Sequence, residues 1–201
     1  MRLAANIAAV AELQPDYLGF IFYDKSPRLI SDVSAELIKY IPSEIKTVGV
    51  FVNEDLEKVK DKVNTLKLKA VQLHGSESPE YCEAIKSTFS TLEVIKAFGI
   101  DEDFDFSDLE PYLDVVDYFL FDTKTKSHGG SGKTFDWCVL DRYTYTKPYF
   151  LSGGLDLEHS SAIKEINDER LYALDINSRF EIEPGLKDAE KIKEFIKELN
   201  K

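Results

Sequence analysis

Short, almost wholly apolar runs alternate with segments of helical periodicity along the chain, and this alternation limits the possible folds most strongly. Continuous apolar runs are typical of strands in a parallel sheet that is buried on both faces. Their starts lie roughly 22 to 31 residues apart, which is about the length of one βα unit. The sequence therefore predicts an α/β fold with seven strands: Tyr17–Phe22, Lys46–Phe51, Ala70–Leu73, Glu93–Phe98, Tyr118–Phe121, Tyr149–Ser152 and Leu171–Ile176.

Repeated βα units form either an open doubly wound sheet or a closed barrel. The open dinucleotide-binding sheet carries G-x-G-x-x-G after its first strand, and no predicted strand here is followed by that pattern. Polar residues and glycines instead follow nearly every strand, as they do at the C-terminal face of a (β/α)8 barrel. The sequence therefore predicts a TIM barrel, with candidate site segments at Ser26–Arg28, His74–Gly75, Asp122, Gly153–Gly154 and Asp175–Ser178.

Helical segments open and close the chain. The last one, Asp188–Leu199, places Ile192, Phe195, Ile196 and Leu199 on one apolar stripe. The first, about Leu3–Leu13, places Leu3, Ile7 and Val10 on one face. Because a (β/α) barrel starts with a strand, we expect the first β-strand to be missing from this chain. No linker or shift in composition divides residues 1–201, which predicts one barrel domain.

Composition excludes several classes of partner. Asp and Glu outnumber Lys and Arg by 37 to 25, a net charge of −12, so the chain lacks the basic character of nucleic-acid-binding proteins. No apolar run approaches the roughly 18 residues of a membrane span. Cys82 and Cys138 form no disulfide or zinc motif, and the three histidines lack metal-ligand spacing. We expect a cytoplasmic protein without a metal, membrane or nucleic-acid partner.

Two loops after the last strands predict a phosphate site. LSGGL (Leu151–Leu155) and DINSRFE (Asp175–Glu181) hold the positions where barrels often bind phosphate through backbone N–H groups. Such dipoles bind anions even in an acidic protein. The alternative is that Gly153–Gly154 form only a tight turn.

A glycine-rich segment, SHGGSGKT (Ser127–Thr134), nearly matches a P-loop. Its motif requires glycine five residues before Gly132, where this chain has Ser127. We favour a loop that closes over bound substrate, because Gly129 and Gly130 allow close backbone approach. A plain flexible loop and a nucleotide-binding P-loop remain the alternatives.

Three further residues at strand ends are candidates for chemistry. Asp122 ends an apolar strand and is suited to donate a proton; otherwise it caps a loop or pairs with Lys124. Arg28, fixed behind Pro27, could hold a carboxylate through two hydrogen bonds; otherwise it is a solvated surface residue. His74 is either a structural histidine or a ligand contact.

Taken in order, KSPR, FVN, QLHG, FDTK, GGSGKTFDW, LSGGL and DINSRFE-x-x-PG-x-KD resemble the phosphoribosylanthranilate isomerase family of tryptophan biosynthesis. The resemblance covers Asn6 to Leu199. It implies a (β/α)8 barrel, monomeric or homodimeric, that uses neither a metal nor an organic cofactor. The implied reaction is the Amadori rearrangement of N-(5-phosphoribosyl)anthranilate to 1-(2-carboxyphenylamino)-1-deoxyribulose 5-phosphate.

The resemblance also implies residue roles. Asp122 matches the general acid that protonates the furanose ring oxygen, and Arg28 matches an active-site arginine near the anthranilate end. His74 and Asp175 match positions that line the substrate pocket. The phosphate loops of the family match Gly153, Gly154, Asn177 and Ser178.

One departure from the family concerns the general base. The family begins with a strand K-[IV]-C-G-[ML] whose cysteine removes the C2 proton, and Met1–Arg2 match only its end. Cys82 and Cys138 lie elsewhere, and Arg179 stands where the family has glycine. We therefore expect low activity for this chain. A non-catalytic barrel that binds a sugar phosphate, or a P-loop-like nucleotide binder, is the alternative.

Overall fold

The computed structural model describes residues 1–30, 38, 41–124 and 135–201. Seven parallel strands form one sheet, and each strand pairs with the next along the chain. Within the described residues, the first and last of these strands are the edges of the sheet. The strands are β1 Tyr17–Ile21, β2 Lys46–Phe51, β3 Ala70–Leu73, β4 Glu93–Ile100, β5 Tyr118–Thr123, β6 Tyr149–Leu151 and β7 Leu171–Leu174.

The sheet curls strongly around its inner face. Tyr17 of β1 and Phe150 of β6 are five strands apart, a separation of about 24 Å in a flat sheet. Their ring centroids are nevertheless only 5.2 Å apart. The Tyr17 hydroxyl also donates to Glu93 Oε2 of β4 at 2.9 Å. These contacts lie at the N-terminal ends of the strands, which leaves the opposite, C-terminal ends available for a site.

Helices cover the outer face. They are α1 Ala4–Ala11, α2 Leu56–Leu66, α3 Pro79–Thr88, α4 Ser160–Glu165 and α5 Ala189–Leu199. The 3-10 helices are Phe106–Tyr112, Trp137–Arg142, Leu157–His159 and Ser178–Phe180, and a short hairpin joins β8 Glu181–Glu183 to β9 Leu186–Lys187. None of the described helices is both long and apolar enough to cross a bilayer.

Side-chain caps explain where the long helices begin. Asp55 accepts hydrogen bonds from two backbone N–H groups at the start of α2. Ser78 caps α3, whose first residue is Pro79, and Asp188 caps α5. These residue types satisfy the N–H groups that have no partner in the first turn.

Two apolar layers explain why the strands lack polar alternation. Val48, Ala70, Ile95, Ala97 and Leu120 fill the inner face together with Phe150. The residues between them face the helices, so the strands inside the sheet, β2 to β6, are mainly buried on both faces, whereas Gly19 of β1 and Tyr172 of β7 are exposed. The α/β prediction and the apolar character of all seven strands are therefore confirmed.

The predicted bounds of the elements hold to within about two residues. β2 and β3 match the prediction, whereas β5 extends two residues further and includes Asp122. The stripe on the last helix is confirmed, with Ile192 and Phe195 buried. Leu3, predicted to share one face with Ile7 and Val10, precedes Ala4 as the N-cap and is 55% exposed, whereas Ile7 and Val10 are buried.

Candidate active site at the C-terminal strand ends

His74 and Asp122 meet at the C-terminal face of the sheet. His74 directly follows β3, Asp122 lies near the end of β5, and His74 Nε2 is 3.2 Å from Asp122 Oδ2. The other carboxylate oxygen accepts the backbone N–H of Thr123 at 2.8 Å. Both side chains keep about a fifth of their surface exposed, 22% for His74 and 18% for Asp122. A ligand can therefore reach a carboxyl group whose orientation is set from two sides.

Gln72 orients the imidazole of His74. Both residues point to the inner face because they are two positions apart on one strand. Gln72 Nε2 lies 2.9 Å from His74 Nδ1. With the amide in this orientation, Nδ1 accepts a hydrogen bond and the ring proton stays on Nε2, facing Asp122. Since the imidazole is held by Gln72 and Asp122 together, His74 is more than a space-filling residue of the core.

Asp175 directly follows β7 and lies at the same C-terminal face of the sheet, called the mouth below. It retains some contact with solvent although protein atoms surround it. Burial raises the pKa of Asp175, and the charge of Asp122 raises it further, while His74 offsets only part of this effect. The Ser152 hydroxyl contributes a hydrogen bond at 3.2 Å to Asp175 Oδ2. Asp175 therefore retains a proton at a higher pH than an ordinary aspartate does.

Gly153 packs directly on the segment that carries Asp122. Gly153 and Gly154 both have positive φ, +92° and +70°. A Cβ atom at Gly153 would lie 2.3 Å from Thr123 Oγ1 and 2.6 Å from its backbone nitrogen. The chain bends at these two glycines, and Gly153 lies against the strand end that carries Asp122. Phosphate binding by this loop stays a prediction.

Arg28 belongs to a network of charged groups at the edge of the mouth. Its Nε donates to Glu181 Oε2 at 2.8 Å, and Glu181 is only 3% exposed. Lys187 contacts the second oxygen of Glu181 at 3.2 Å and donates to Asn177 Oδ1 at 2.6 Å. The alternative of a solvated Arg28 is therefore wrong, because Glu181 holds the guanidinium in place. Contact between Arg28 and a substrate stays a prediction.

These opposite charges change the pKa of Glu181. Burial alone would raise it, but hydrogen bonding from Arg28 and the charge of Lys187 outweigh that effect and lower it. Asn177 precedes the 3-10 helix that starts at Ser178, the arrangement expected beside a phosphate loop. Lys187 thus places a cation next to the candidate phosphate loop.

Other predicted positions lie elsewhere. Gly129 and Gly130, in the predicted closing loop, lie outside the described residues. Lys124 pairs with Asp101 at 2.6 Å, so its predicted alternative pairing with Asp122 is wrong. Both cysteines are free thiols: Cys138 is exposed, and Cys82 is buried in α3, where burial raises its pKa to about 12.

Sequence reasoning gave no individual role to Gln72, Ser152, Glu181 or Lys187, although all four lie in segments that it quoted. Gln72 and Ser152 stand inside or beside otherwise apolar strands, and a lone polar residue there is a signal that could have been used. Glu181 and Lys187 lie inside the quoted segment DINSRFE-x-x-PG-x-KD, but nothing in that segment indicates that they contact Arg28 and Asn177. Their partners are distant in sequence, so only the folded chain reveals the pairing.

Comparisons with known proteins show the family of this chain. Residues 1–198 match the family model described as N-(5'phosphoribosyl)anthranilate (PRA) isomerase. An N-(5'-phosphoribosyl)anthranilate isomerase of Parabacteroides distasonis is 44% identical over 201 residues, covering 99% of this chain and 90% of the relative. The crystal structure of phosphoribosyl anthranilate isomerase from Thermotoga maritima has a TM-score of 0.85 at 39% identity, covering 100% of this chain and 95% of that one.

A further solved structure, of phosphoribosyl anthranilate isomerase in complex with reduced 1-(o-carboxyphenylamino)-1-deoxyribulose 5-phosphate, has a TM-score of 0.80 at 33% identity. It covers 100% of this chain and 95% of that one.

Proposed function

The chain belongs to the N-(5'-phosphoribosyl)anthranilate isomerase family, and we propose that its site performs the Amadori rearrangement of that substrate in tryptophan biosynthesis with Asp122 as the general acid. The observation that carries the assignment of the acid is the His74–Asp122 contact at the strand ends. The reaction needs a proton on the furanose ring oxygen before the ring can open to a Schiff base. Asp122 is a partly exposed carboxyl group at the mouth that a sugar ring can reach.

The neighbours of Asp122 suit it to this step. The backbone N–H of Thr123 and the imidazole of His74 bind different carboxylate oxygens, so the group cannot rotate freely. Donation by a positioned acid of this kind typically contributes about 10²–10⁴-fold to a rate.

The phosphate of the substrate binds at the loops after β6 and β7. The loop with Gly153 and Gly154 and the loop with Asn177 and Ser178 follow neighbouring strands, because β6 and β7 are paired. Backbone N–H groups in such loops attract an anion, and Lys187 adds a positive charge beside Asn177. Arg28, held by Glu181, lies at the side of the mouth where the anthranilate carboxylate binds.

The variant Asp122→Asn tests whether Asp122 is the general acid. We expect kcat to fall about 10²–10⁴-fold with little change in KM, because the amide keeps the shape but cannot donate the proton. Turnover is followed by the loss of anthranilate fluorescence. Asp117→Asn is the matched control, since Asp117 immediately precedes the same strand at its other end and pairs with Lys86.

Two outcomes separate the alternatives. Wild-type turnover in Asp122→Asn would remove Asp122 as the acid. Binding of the reduced product analogue without any turnover by the parent chain would instead indicate a barrel that binds a sugar phosphate without isomerising it. Protection from thermal unfolding by Mg-ATP would favour the nucleotide-binding alternative.

The proposed function also fits the binding partners and the cell compartment that the sequence predicts. A small phosphorylated substrate suits the site, whereas the net charge of −12 argues against nucleic acid. A cytoplasmic location is consistent with both cysteines being free thiols.

A further inference from the structure

A buried ion pair lies outside the site, between the sheet and α3. Lys96 Nζ of β4 is 3.2 Å from Glu77 Oε2, and each side chain is only 2% exposed. Lys96 lies between Ile95 and Ala97, which fill the inner core, so its own side chain points to the outer face. The pair therefore has no direct access to the mouth.

Lys96 holds the backbone on both sides of His74. Its ammonium group donates to the carbonyl oxygen of Leu73 at 3.2 Å and to that of Gly75 at 2.8 Å. These carbonyls flank His74 in the chain. One ammonium group thus binds the peptide unit that directly precedes the His74 Cα and the peptide unit that follows Gly75, and it also contacts the carbonyl of Ala97 at 3.0 Å.

Glu77 fixes the rest of the same loop. Its carboxylate accepts the backbone N–H of Gly75 at 2.9 Å and that of Asn53 at 2.8 Å. Asn53, at the end of β2 with φ of +50°, in turn accepts the Ser76 N–H at 2.7 Å through its side chain. The loop after β3 is therefore tied to the strands on both sides of it.

Stability alone does not account for this pair. Taking two charges out of water is expensive, and well-packed apolar residues often replace such a pair without loss of stability. What apolar residues cannot replace here is the set of hydrogen bonds to the backbone around His74. A carboxyl–imidazole contact depends steeply on distance, so small shifts of this backbone alter it.

We infer that the Lys96–Glu77 pair positions His74 against Asp122 from outside the site, and that both are positioning residues for the isomerisation. This inference rests on the proposed function for its kinetic readout. It predicts that loss of either charge moves the imidazole away from Asp122 while the phosphate loops stay in place. The effect should therefore appear in kcat and leave KM nearly unchanged.

Lys96→Met and Glu77→Gln test the inference against a matched control, Lys147→Met. Lys147 also donates to a backbone carbonyl, that of Val116 at 2.8 Å, but lies at the N-terminal end of the sheet. We expect both test variants to lose about tenfold to a hundredfold in kcat, the range caused by misplacement of about 1 Å or less. We expect the control to lose stability without losing kcat.

A second readout is independent of activity. The 15N chemical shifts of the His74 ring report its tautomer and hydrogen bonds, and the chain has only three histidines, so a His74→Asn spectrum assigns the signals. These shifts should move in Lys96→Met and in Glu77→Gln and stay at wild-type values in Lys147→Met. Glu77→Gln keeps the shape of the side chain, so it remains a usable test variant if Lys96→Met does not fold.

The outcomes separate the two proposals. A folded test variant with wild-type kcat and wild-type His74 shifts overturns the positioning role. So does a loss of kcat equal to that of Lys147→Met. If the parent chain does not isomerise the substrate, the proposed function fails, whereas the ring shifts of the unliganded variants still decide whether the pair positions His74.

Discussion

Replacing Gly153 by alanine crowds the end of β5 that carries Asp122. The new Cβ atom would lie 2.6 Å from the backbone nitrogen of Thr123, which is about 0.8 Å closer than ordinary van der Waals contact. It would also lie 3.2 Å from Asp122 Oδ1. Thr123 N is a backbone atom of a paired strand and cannot rotate away, whereas the other two neighbours, Thr123 Oγ1 and Asp122 Oδ1, are side-chain atoms. The Asp122–Thr123 segment therefore has to shift.

The expected magnitude follows from that shift. A displacement of about 1 Å at a reacting group costs about 10²-fold in rate, equivalent to about 2.7 kcal/mol of transition-state stabilisation. The positive φ of +92° adds about 1–2 kcal/mol of backbone strain to the folded state. We therefore expect kcat to fall about 10²-fold and Tm to fall by several degrees, about 2–4 °C per kcal/mol at this size.

Gly185→Ala is the control that separates the effect of backbone strain at a positive φ from the effect of displacing Asp122. Gly185 has a similar φ of +87°, but a Cβ atom there would meet only the flexible side chain of Arg2. Fluorescence-monitored turnover and thermal unfolding are measured for both variants. Equal losses of kcat in the two variants, or wild-type turnover in Gly153→Ala, would refute the reasoning.

Two predictions concern the pH dependence of stability. Burial raises the pKa of Asp175, so the native state holds its proton longer than the unfolded chain does, and stability is lost as pH rises above the ordinary value of about 3.9. Asp175→Asn should therefore raise the urea midpoint at pH 8 but not at pH 3.5, and an unchanged pH profile would contradict this. The hydrogen bond from Arg170 lowers the pKa of Asp168, so its contribution is present above about pH 3.9 and is lost as pH falls through the lower, folded-state value. Arg170→Leu should flatten the acid limb of the urea profile, and an acid limb as steep as that of the parent chain would count against the pairing.

The strands were predictable because their signal is local. Each strand is a short apolar run, and burial on both faces requires that composition wherever the strand sits in the sheet. Bounds at the C-terminal ends were less accurate. Asp122 belongs to β5 because it pairs with Gly99 of β4, and that pairing partner is not visible from the run YFLF alone.

The sequence predicted which residues lie at the site better than it predicted which of their side chains touch. His74, Asp122 and Asp175 all follow or end strands, and parallel strands bring their C-terminal ends to one face. Arg28 shows the limit of this reasoning. The sequence suggested a guanidinium free to bind a ligand, and its partner Glu181 is 153 residues away along the chain.

The amino-acid order by itself determined the α/β class, the sequence of strands and helices, and the side on which the polar residues gather, because these depend on burial patterns within a few residues. Only the folded chain decided which polar groups touch. The curl of the sheet brings β3 and β5 close enough for His74 to meet Asp122, and it encloses Asp175 so that its pKa rises. Contacts between distant segments set the chemistry of these groups, and no local pattern encodes those contacts.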